Sequence, residues 1–187
     1  MFIAGPNGAG KTTFALEYLP GEGVRNFLNA DMIAAGISPL EPERVAVTAG
    51  RLFLDKIEAC IVSGEDFAFE TTLSGRGYLR LINRLRSAGW QVELHYLALL
   101  SVNLSIARVR ERVAHGGHSI PEADIQRRFP RSLHNLLYFY RMAVDRCVCR
   151  VSTDDRIALV FEQAGPVFRI FDQDLYEDLE RQARHEQ

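Results

Sequence analysis

Residues 5–12 read Gly5-Pro6-Asn7-Gly8-Ala9-Gly10-Lys11-Thr12, and this stretch decides the fold. It fits the pattern G-x-x-x-x-G-K-[ST] at every position. Its glycines let the backbone curl until successive N–H groups point inward at a chain of phosphates. Residues 1–4 read as a strand and residues 13–18 as a helix, whose positive dipole end strengthens the same anion site. The stretch therefore predicts a phosphate-binding loop that holds a nucleoside triphosphate.

Two side chains at the end of the loop supply the charge and the metal ligand that a bound triphosphate needs. Lys11 places a point charge beside the β- and γ-phosphates, and the Thr12 hydroxyl is positioned to bind Mg²⁺. ATP and Mg²⁺ are therefore the predicted cofactors, with Lys11 as a catalytic residue and Thr12 as the metal ligand. The predicted cofactor-binding residues of the loop are Gly5, Asn7, Gly8, Ala9, Gly10, Lys11, Thr12 and Thr13.

Length and composition are those of an ordinary globular domain. With 187 residues, 47% of them hydrophobic and 25% charged, the chain is expected to form a single domain over residues 1–187. A net charge of −2 argues against general nucleic-acid binding, which usually requires a basic protein. No apolar run reaches transmembrane length and no signal peptide precedes the loop, so we expect a cytoplasmic protein without a membrane partner. The three cysteines are too few for a disulfide framework or a zinc site.

Strands and helices alternate along the chain, which predicts an α/β fold. The expected architecture is a P-loop NTPase of the nucleoside-kinase or shikimate-kinase type, with a parallel five-stranded sheet in the order 2-3-1-4-5 flanked by helices. Loops at the carboxyl ends of the strands should then form the site. The segments that read as strands are residues 1–4, 26–29, 66–70, 91–99, 147–151 and 157–161.

Capping patterns give the expected helix starts. Ser38-Pro39-Leu40-Glu41 and Ser119-Ile120-Pro121-Glu122 each place a glutamate three residues after a serine. The second of these helices should run to about Val144 and be disturbed at Pro130. A closing helix is expected over residues 172–184.

Two acids follow predicted strands directly, so both should lie at the carboxyl edge of the sheet, level with the phosphate loop. Asp31 could act as a general base for an attacking hydroxyl or help to hold Mg²⁺; the alternative is an N-cap for the residues after it. Glu70 could bind substrate hydroxyls, orient a water or bind Mg²⁺ through water; the alternative is a solvated carboxylate. The predicted substrate-binding residues are Asp31, Glu70, Thr71 and Thr72.

Arginines on both sides of a glycine pair predict a helical lid over about residues 108–131. Arg108 and Arg112 are four residues apart and share one helix face, and Arg127, Arg128 and Arg131 lie on the next helix. Such a lid would close on the transferring phosphoryl group, stabilise its charge and exclude water, with Arg108 among the cofactor-binding residues. The alternative is a solvated basic face whose arginines pair with nearby acids, namely Glu111, Glu122 and Asp124.

Other polar residues of the same region are weaker candidates. Arg110 lies nearer the apolar side of its helix than its neighbours. His115, His118 and His134 share no tight metal-binding spacing with a carboxylate, so solvation or hydrogen bonding to backbone is the favoured interpretation.

One alternative class of ATPase is excluded by the next strand. The sequence of the loop is similar to that of a transporter ATPase, and Leu73-Ser74-Gly75-Arg76-Gly77 resembles the start of the transporter signature. Those enzymes need a following strand that ends in acids, which hold Mg²⁺ and orient water. Residues 94–100 form the next apolar strand here and end without an acid.

Taken together, these motifs resemble the zeta toxin family, specifically its small phosphate-loop branch of kinases, over nearly the whole chain. The matching positions are residues 5–13, Asn29-Ala30-Asp31, Ser38-Pro39, residues 69–74, residues 108–118, Ile120-Pro121-Glu122, Ile125, Arg127-Arg128 and Ser132-Leu133. Members of this family are ATP-dependent kinases that phosphorylate UDP-N-acetylglucosamine on a sugar hydroxyl. The resemblance implies an antitoxin protein as a further partner.

The resemblance also implies a role for each matching site residue. It implies that Lys11 and Thr12 lie at ATP and Mg²⁺, that Asp31 is the base and that Glu70 lies near the sugar nucleotide. It implies lid arginines on the γ-phosphate, and the best matches to these are Arg112 and Arg128.

The predicted function is therefore that of a kinase, which uses ATP to phosphorylate a hydroxyl group of a small molecule, with UDP-N-acetylglucosamine favoured by resemblance. One alternative is a kinase for another hydroxyl acceptor, such as a nucleoside, an antibiotic or a nucleic-acid end. A second alternative is a nucleotide-gated binding module of a toxin–antitoxin system.

Overall fold

The structure is a computed structural model that describes residues 1–117, 119–152 and 157–184. The expectation for His118 therefore lies outside the described residues. The helices are α1 (Lys11–Tyr18), α2 (Ala30–Ile37), α3 (Ala46–Ser63), α4 (Tyr78–Ser87), α5 (Val102–Ala114), α6 (Glu122–Asn135), α7 (Arg141–Ala143) and α8 (Gln173–Arg184). The strands are β1 (Phe2–Ala4), β2 (Asn26–Leu28), β3 (Phe67–Thr71), β4 (Glu93–Ala98), β5 (Arg146–Ser152), β6 (Ile157–Ala164) and β7 (Val167–Ile170).

The chain divides into two compact units. The first unit comprises Met1–Lys11 and Thr72–Gln187, and the second comprises Thr12–Thr71. The expectation of a single domain over residues 1–187 stays a prediction. Within the described residues, no helix combines the length and the apolar character needed to cross a bilayer.

The first unit is built on strands that are buried along most of their length. β1 pairs parallel with β4, and β4 pairs parallel with β5. The three residues of β1 and five of the six residues of β4 are buried, which explains why both strands are nearly continuous apolar runs. On one face of β4 the Tyr96 hydroxyl lies 2.6 Å from the Ser132 hydroxyl of α6, so the helix is fixed to the sheet by a buried polar contact.

The second unit pairs two strands and packs α3 against them. β2 and β3 are parallel, with Asn26 opposite Phe67 and Leu28 opposite Phe69. The ring of Phe53 on α3 meets the ring of Phe69 edge to face, at 5.6 Å between centroids. Gly64 then ends α3 in a left-handed conformation, which glycine adopts without strain.

Within the described residues the sheet has seven strands, so the prediction of a five-stranded, all-parallel sheet is wrong. The strands of the first unit follow the order β1-β4-β5-β6-β7, in which β6 and β7 are antiparallel, and the second unit pairs β2 with β3. The reason is the length of the connections. Four residues separate β5 from β6 and two separate β6 from β7, whereas a parallel crossover needs about a dozen residues or more. Gly165, with φ 54°, supplies the left-handed residue of the two-residue turn between β6 and β7.

Both predicted capping boxes are wrong. Ser38 ends α2, because its N–H donates to the carbonyl of Ala34, and the next helical residues begin with a 3₁₀ turn at Pro42–Val45. A helix starting at Pro39 would place Pro42 inside the first turns, where it removes a hydrogen bond. Pro121 is the residue before α6, and no side chain caps that helix.

The helix that contains Pro130 continues through it. α6 extends five residues beyond the proline, a π-helical turn follows at Leu136–Tyr140, and α7 ends at Ala143. The predicted disturbance at Pro130 is therefore wrong, whereas the helical run ends within one residue of the predicted Val144.

Candidate functional site

The loop at residues 5–10 connects β1 to α1, as the sequence predicts. Gly5, Gly8 and Gly10 have φ angles of 145°, 76° and 79°, which disfavour any residue with a β-carbon. Space restricts Gly5 further, because a Cβ built there would lie 2.1 Å from the carbonyl oxygen of Leu97 in β4. The curled shape of the loop is therefore set by glycines and by its contact with β4.

We expect Gly5→Ala to destabilise the protein by more than about 3 kcal/mol, because the new methyl group has no flexible neighbour to displace. Gly36→Ala is the matched control: it adds the same methyl group to α2 with no atom within 4 Å, and should be neutral or stabilising by about 0.5–1 kcal/mol. Thermal unfolding measures both. Similar melting temperatures for the two variants would contradict the proposed loop geometry.

Lys11 closes the loop on itself. Its side chain is buried, and Nζ donates a 2.9 Å hydrogen bond to the carbonyl of Pro6. The same carbonyl accepts a hydrogen bond from the N–H of Ala9 at 3.3 Å. A buried ammonium group held across the loop is placed to meet phosphate oxygens, since Lys acts there as a point charge.

α5 supports the loop through Ser105, which sequence reasoning missed, and through the predicted Arg108. The Ser105 hydroxyl is buried and donates to the carbonyl of Asn7 at 2.6 Å, and a Cβ on Gly8 would lie 3.1 Å from Cβ of Arg108. Arg108 thus lies beside the loop, where its Nη1 donates to the Ser152 hydroxyl at 3.1 Å. Among the described residues, Asn7 Oδ1 is buried with no hydrogen-bond partner, so the loop keeps an acceptor that a bound ligand or water would satisfy. These features fit a bound nucleotide.

The other lid arginines lie on α5 and α6, and several are paired with acids. Arg127 and Arg128 donate to Asp124 at 2.6 and 3.3 Å, and Arg110 donates to Glu122 at 2.7 Å. These are pairs of the kind expected for a solvated basic face. Such partly exposed pairs contribute only about 0–1 kcal/mol each, so a phosphate could replace the acid at small cost.

Arg112 and Arg131 are the remaining lid arginines, and both side chains are exposed. Arg112 packs along Gly117, whose N–H donates to the Arg112 carbonyl at 2.9 Å. The glycine is needed there because a Cβ would lie 2.5 Å from Cγ of the arginine. The roles of Arg108, Arg112 and Arg128 at a phosphate stay predictions.

The predicted histidines have local partners. His115 Nδ1 lies 2.8 Å from the carbonyl of Glu111, and the ring of His134 stacks near that of Tyr138 at 4.7 Å. Sequence reasoning passed over His95, which is fully buried in β4 between Glu93 and Arg150. Burial lowers the pKa of His95, so this imidazole is neutral near pH 7.

In the second unit, a hydrogen-bonded cluster joins Thr12, Asn29 and Glu70. The Thr12 hydroxyl donates to Glu70 Oε2 at 2.6 Å, and Asn29 Nδ2 donates to the same oxygen at 2.7 Å. Glu70 is therefore held by two donors, and the alternative of a solvated carboxylate is wrong. Asn29 was expected only as the end of a strand.

The cluster is suited to a magnesium ion. The Thr12 proton points to Glu70 and the Asn29 amide approaches one lone pair of the hydroxyl at 3.5 Å, which leaves the other lone pair for a cation. Hydroxyl and carboxylate oxygens are ligands that Mg²⁺ accepts, usually together with water and substrate phosphates. Within the described residues, no group of three or more His, Cys, Asp or Glu forms a separate metal site.

Asp31 lies in the first turn of α2, but it does not cap the helix. The cap is Asn29, whose Oδ1 accepts from the N–H groups of Asp31 and Met32 at 2.8 and 3.1 Å. The N-cap interpretation of Asp31 is therefore wrong. Its side chain is exposed, as a base that meets an incoming substrate must be, and the catalytic role stays a prediction.

Thr71 ends β3 and Thr72 begins a loop that α6 and the π-turn hold in place. Ser132, Asn135 and Tyr140 donate to the carbonyls of Thr72, Leu73 and Gly75 at 2.5, 2.8 and 2.7 Å. Leu73 has φ 53°, an unfavourable conformation for a leucine, and it is fully buried. Burial raises the pKa of Tyr140 to about 12, so its hydroxyl remains a donor at ordinary pH.

Sequence reasoning missed this second anchoring network because its donors are 60–65 residues from the carbonyls they contact. The Thr72 hydroxyl lies 3.1 Å from that of Ser74, so the loop presents two hydroxyl groups side by side. A loop fixed in this way can orient a substrate without rearranging.

Comparisons with known proteins identify one sequence relative and several structures of the same fold. No family model matches the chain. An uncharacterized protein of Haemophilus influenzae (strain ATCC 51907 / DSM 11121 / KW20 / Rd) is 31% identical over 129 residues, which are 69% of this chain and 91% of that protein. This level of identity and coverage places both chains in one family.

Two similar structures are an AvrRxo1 complex and a structure from a toxin–antitoxin system. The AvrRxo1-ORF1:AvrRxo1-ORF2 complex, solved with sulphate ions and also with ATP, matches with a TM-score of 0.75 at 18% identity. The match covers 96% of this chain but 63% of that one, so the chain spans less than two thirds of its structural relative.

A structure from the PezAT chromosomal toxin–antitoxin system of Streptococcus pneumoniae matches with a TM-score of 0.57 at 15% identity, covering 98% of this chain and 85% of that one. At such low identities the two structural matches establish the fold alone. The chain belongs to one family with the Haemophilus influenzae protein, and it shares its fold with the AvrRxo1-ORF1:AvrRxo1-ORF2 and PezAT structures.

Proposed function

We propose that the protein is an ATP-dependent kinase that transfers the γ-phosphoryl group to a hydroxyl group of a small molecule. The observation that supports this best is the loop itself. Three glycines with positive φ curl the loop, and the buried ammonium group of Lys11 closes it. The hydroxyl of the next residue, Thr12, donates a hydrogen bond to Glu70.

In this proposal the binding and catalytic tasks are divided along the chain. Backbone N–H groups of residues 5–12 and Lys11 bind the phosphates, while the Thr12 hydroxyl, which Glu70 orients, would hold Mg²⁺ and so bring a charge that neutralises the phosphates. Asp31 accepts the proton of the acceptor hydroxyl as the new oxygen–phosphorus bond forms. The bond between the γ-phosphorus and its bridging oxygen breaks, and ADP leaves. The stabilising guanidinium groups are those of Arg108, Arg112 and Arg128.

The acceptor that we propose is UDP-N-acetylglucosamine, on the basis of the resemblance to zeta toxins. Glu70, Thr71 and Thr72 are the residues assigned to it, because carboxylate and hydroxyl groups pair with sugar hydroxyls. An antitoxin partner is part of the same proposal, since one structure of the same fold is a complex of two proteins and another comes from a toxin–antitoxin system. A nucleoside, an antibiotic or a nucleic-acid end remains the alternative acceptor.

The test is an acceptor screen with γ-labelled ATP, followed by mass spectrometry of the labelled product. We expect label on a hydroxyl of UDP-N-acetylglucosamine. Asp31→Asn should lower the rate constant of transfer about 10²–10⁴-fold, the usual contribution of a general base, while ATP affinity changes little. Asp55→Asn, an exposed aspartate on α3, is the matched control and should leave transfer unchanged.

The screen also separates the second candidate function. If the protein binds or hydrolyses ATP but phosphorylates no hydroxyl compound, it is a nucleotide-gated binding module and the kinase proposal fails. If another hydroxyl compound is labelled, the kinase proposal stands and only the proposed acceptor, UDP-N-acetylglucosamine, is wrong.

A further inference from the structure

β7 lies at one edge of the sheet, and no strand of the described residues pairs with its outer side. It pairs with β6 and ends the strand order, and all four of its residues are exposed. An edge strand offers a row of backbone donors and acceptors to any chain that can extend the sheet. Natural edges are usually protected by lysine, proline or a bulge, but β7 reads Val-Phe-Arg-Ile, with one charge and no proline.

The backbone N–H and C=O groups of successive β7 residues point alternately toward and away from β6. The pairing with β6 decides which residues point outward. The N–H of Phe171 donates to the carbonyl of Val160 at 2.8 Å, so the odd-numbered residues point their backbone groups at β6. The pairing of Ala164 with Val167 across the two-residue turn agrees with this. The N–H and C=O groups of Phe168 and Ile170 therefore point outward.

Apolar side chains surround this open edge. Phe168 and Ile170 are 36% and 37% exposed, and Met142 is 64% exposed next to the same strand pair, where its sulfur accepts from Gln163 at 3.3 Å. The ring of Phe168 packs 5.7 Å from that of Tyr176, so these groups form one continuous surface with the α8 side of the sheet. Apolar area beside unpaired backbone is typical of an interface.

We propose that two copies of the chain pair through β7, antiparallel and about a two-fold axis, so that their sheets become continuous. Because only Phe168 and Ile170 point their backbone groups outward, few registers between the two β7 strands can form hydrogen bonds. A register with Phe168 opposite Ile170 of the second copy would place two Arg169 side chains face to face, and like charges in that position repel.

A register with Ile170 opposite Ile170 of the second copy separates the two Arg169 side chains. It also brings each Arg169 next to an aromatic ring, which attracts it. Arg169 then lies opposite Phe171 of the second copy, where a guanidinium group can stack on an aromatic ring, twice per dimer. Centring on Phe168 would instead place Pro166, which has no N–H, at a hydrogen-bonded position. The strand is thus complementary to itself, and a net charge of −2 opposes association only weakly. These points favour a second copy over a different protein.

Sedimentation equilibrium of the full chain with Ile170→Pro tests the proposal. The proline removes an N–H that points away from β6, so the β6–β7 pairing keeps its hydrogen bonds. We expect the wild-type chain to dimerise and the variant to raise the dissociation constant at least tenfold. Leu40→Lys, at an apolar residue that is 95% exposed in the second unit, is the control and should leave the dimer intact.

Amide hydrogen exchange on the wild-type chain gives an independent result that needs no variant. The amides of Phe168 and Ile170 should be protected only at concentrations where the dimer forms, while those of Arg169 and Phe171 should be protected at every concentration. A chain that stays monomeric, a dimer that Ile170→Pro does not weaken, or fast exchange at Phe168 and Ile170 in the dimer would each overturn the proposal. Equal weakening by Leu40→Lys would show general apolar association and would overturn it as well.

Discussion

Lys11→Ala is expected to lower the rate constant of phosphoryl transfer about 10³-fold, the upper range for loss of one group that stabilises transition-state charge. The ammonium group is buried and held by the Pro6 carbonyl, so its position is fixed before a nucleotide binds. Alanine removes the charge together with the hydrogen bond to Pro6, while the glycine φ angles and the contact with β4 still set the loop backbone. ATP affinity should fall less than the rate constant, because backbone N–H groups still contact the phosphates. Single-turnover transfer with γ-labelled ATP measures the effect.

The chain provides its own control for this experiment. Its only other lysine is Lys56, on the exposed surface of α3. Lys56→Ala changes the net charge equally and should leave transfer within about twofold of wild type, as exposed substitutions usually do. If Lys11→Ala retained most of the activity, or if both variants lost it alike, the loop would not be the phosphate site.

Glu70→Gln is the second change with a large expected effect. One carboxylate oxygen of Glu70 accepts from both Thr12 and Asn29, and the amide of glutamine cannot reproduce its charge. The amide oxygen of glutamine can still accept from Thr12, but without the negative charge it would hold that hydroxyl less firmly. Removing a group that orients a metal ligand typically lowers metal affinity about 10–100-fold. We therefore expect the Mg²⁺ concentration for half-maximal transfer to rise about 10–100-fold and the maximal rate of transfer to fall.

A magnesium titration of transfer separates this effect from simple misfolding. Glu65→Gln is the control, because Glu65 also accepts from an asparagine amide, that of Asn26, but does so in an exposed position at 3.3 Å. It should leave the magnesium dependence unchanged. A Glu70→Gln protein with normal activity and a normal magnesium requirement would show that the cluster only stabilises the fold.

Sequence and structure agree best where the chemistry is local. The phosphate loop, its lysine and its flanking strand and helix follow from eight consecutive residues, because glycine spacing fixes the backbone directly. The closing helix was predicted over residues 172–184 and spans Gln173–Arg184. The predicted helix starts were wrong where a proline follows the serine that was expected to cap the helix, as at Pro42 and Pro121.

The antiparallel strands show a second kind of limit. The strand at residues 157–161 was predicted, but its direction depends on the four residues before it, which cannot form a crossover. β7 was missed altogether. Its Val-Phe-Arg-Ile run is too short to show a clear period, and it is defined by pairing with β6.

By itself, the sequence determined the loop, the types of charged residue available for phosphate chemistry and the α/β class, since each depends on neighbouring residues and on backbone preferences. Only the tertiary structure decided that Asn29 and Thr12 share Glu70, that Ser105 supports Asn7, and that Ser132, Asn135 and Tyr140 hold the loop after β3. These contacts join residues 41–98 positions apart, and only Thr12 and Asn29 are closer, at 17. A partner that distant leaves no periodic signal in the chain, because it is selected by the packing of the folded protein and not by local conformation.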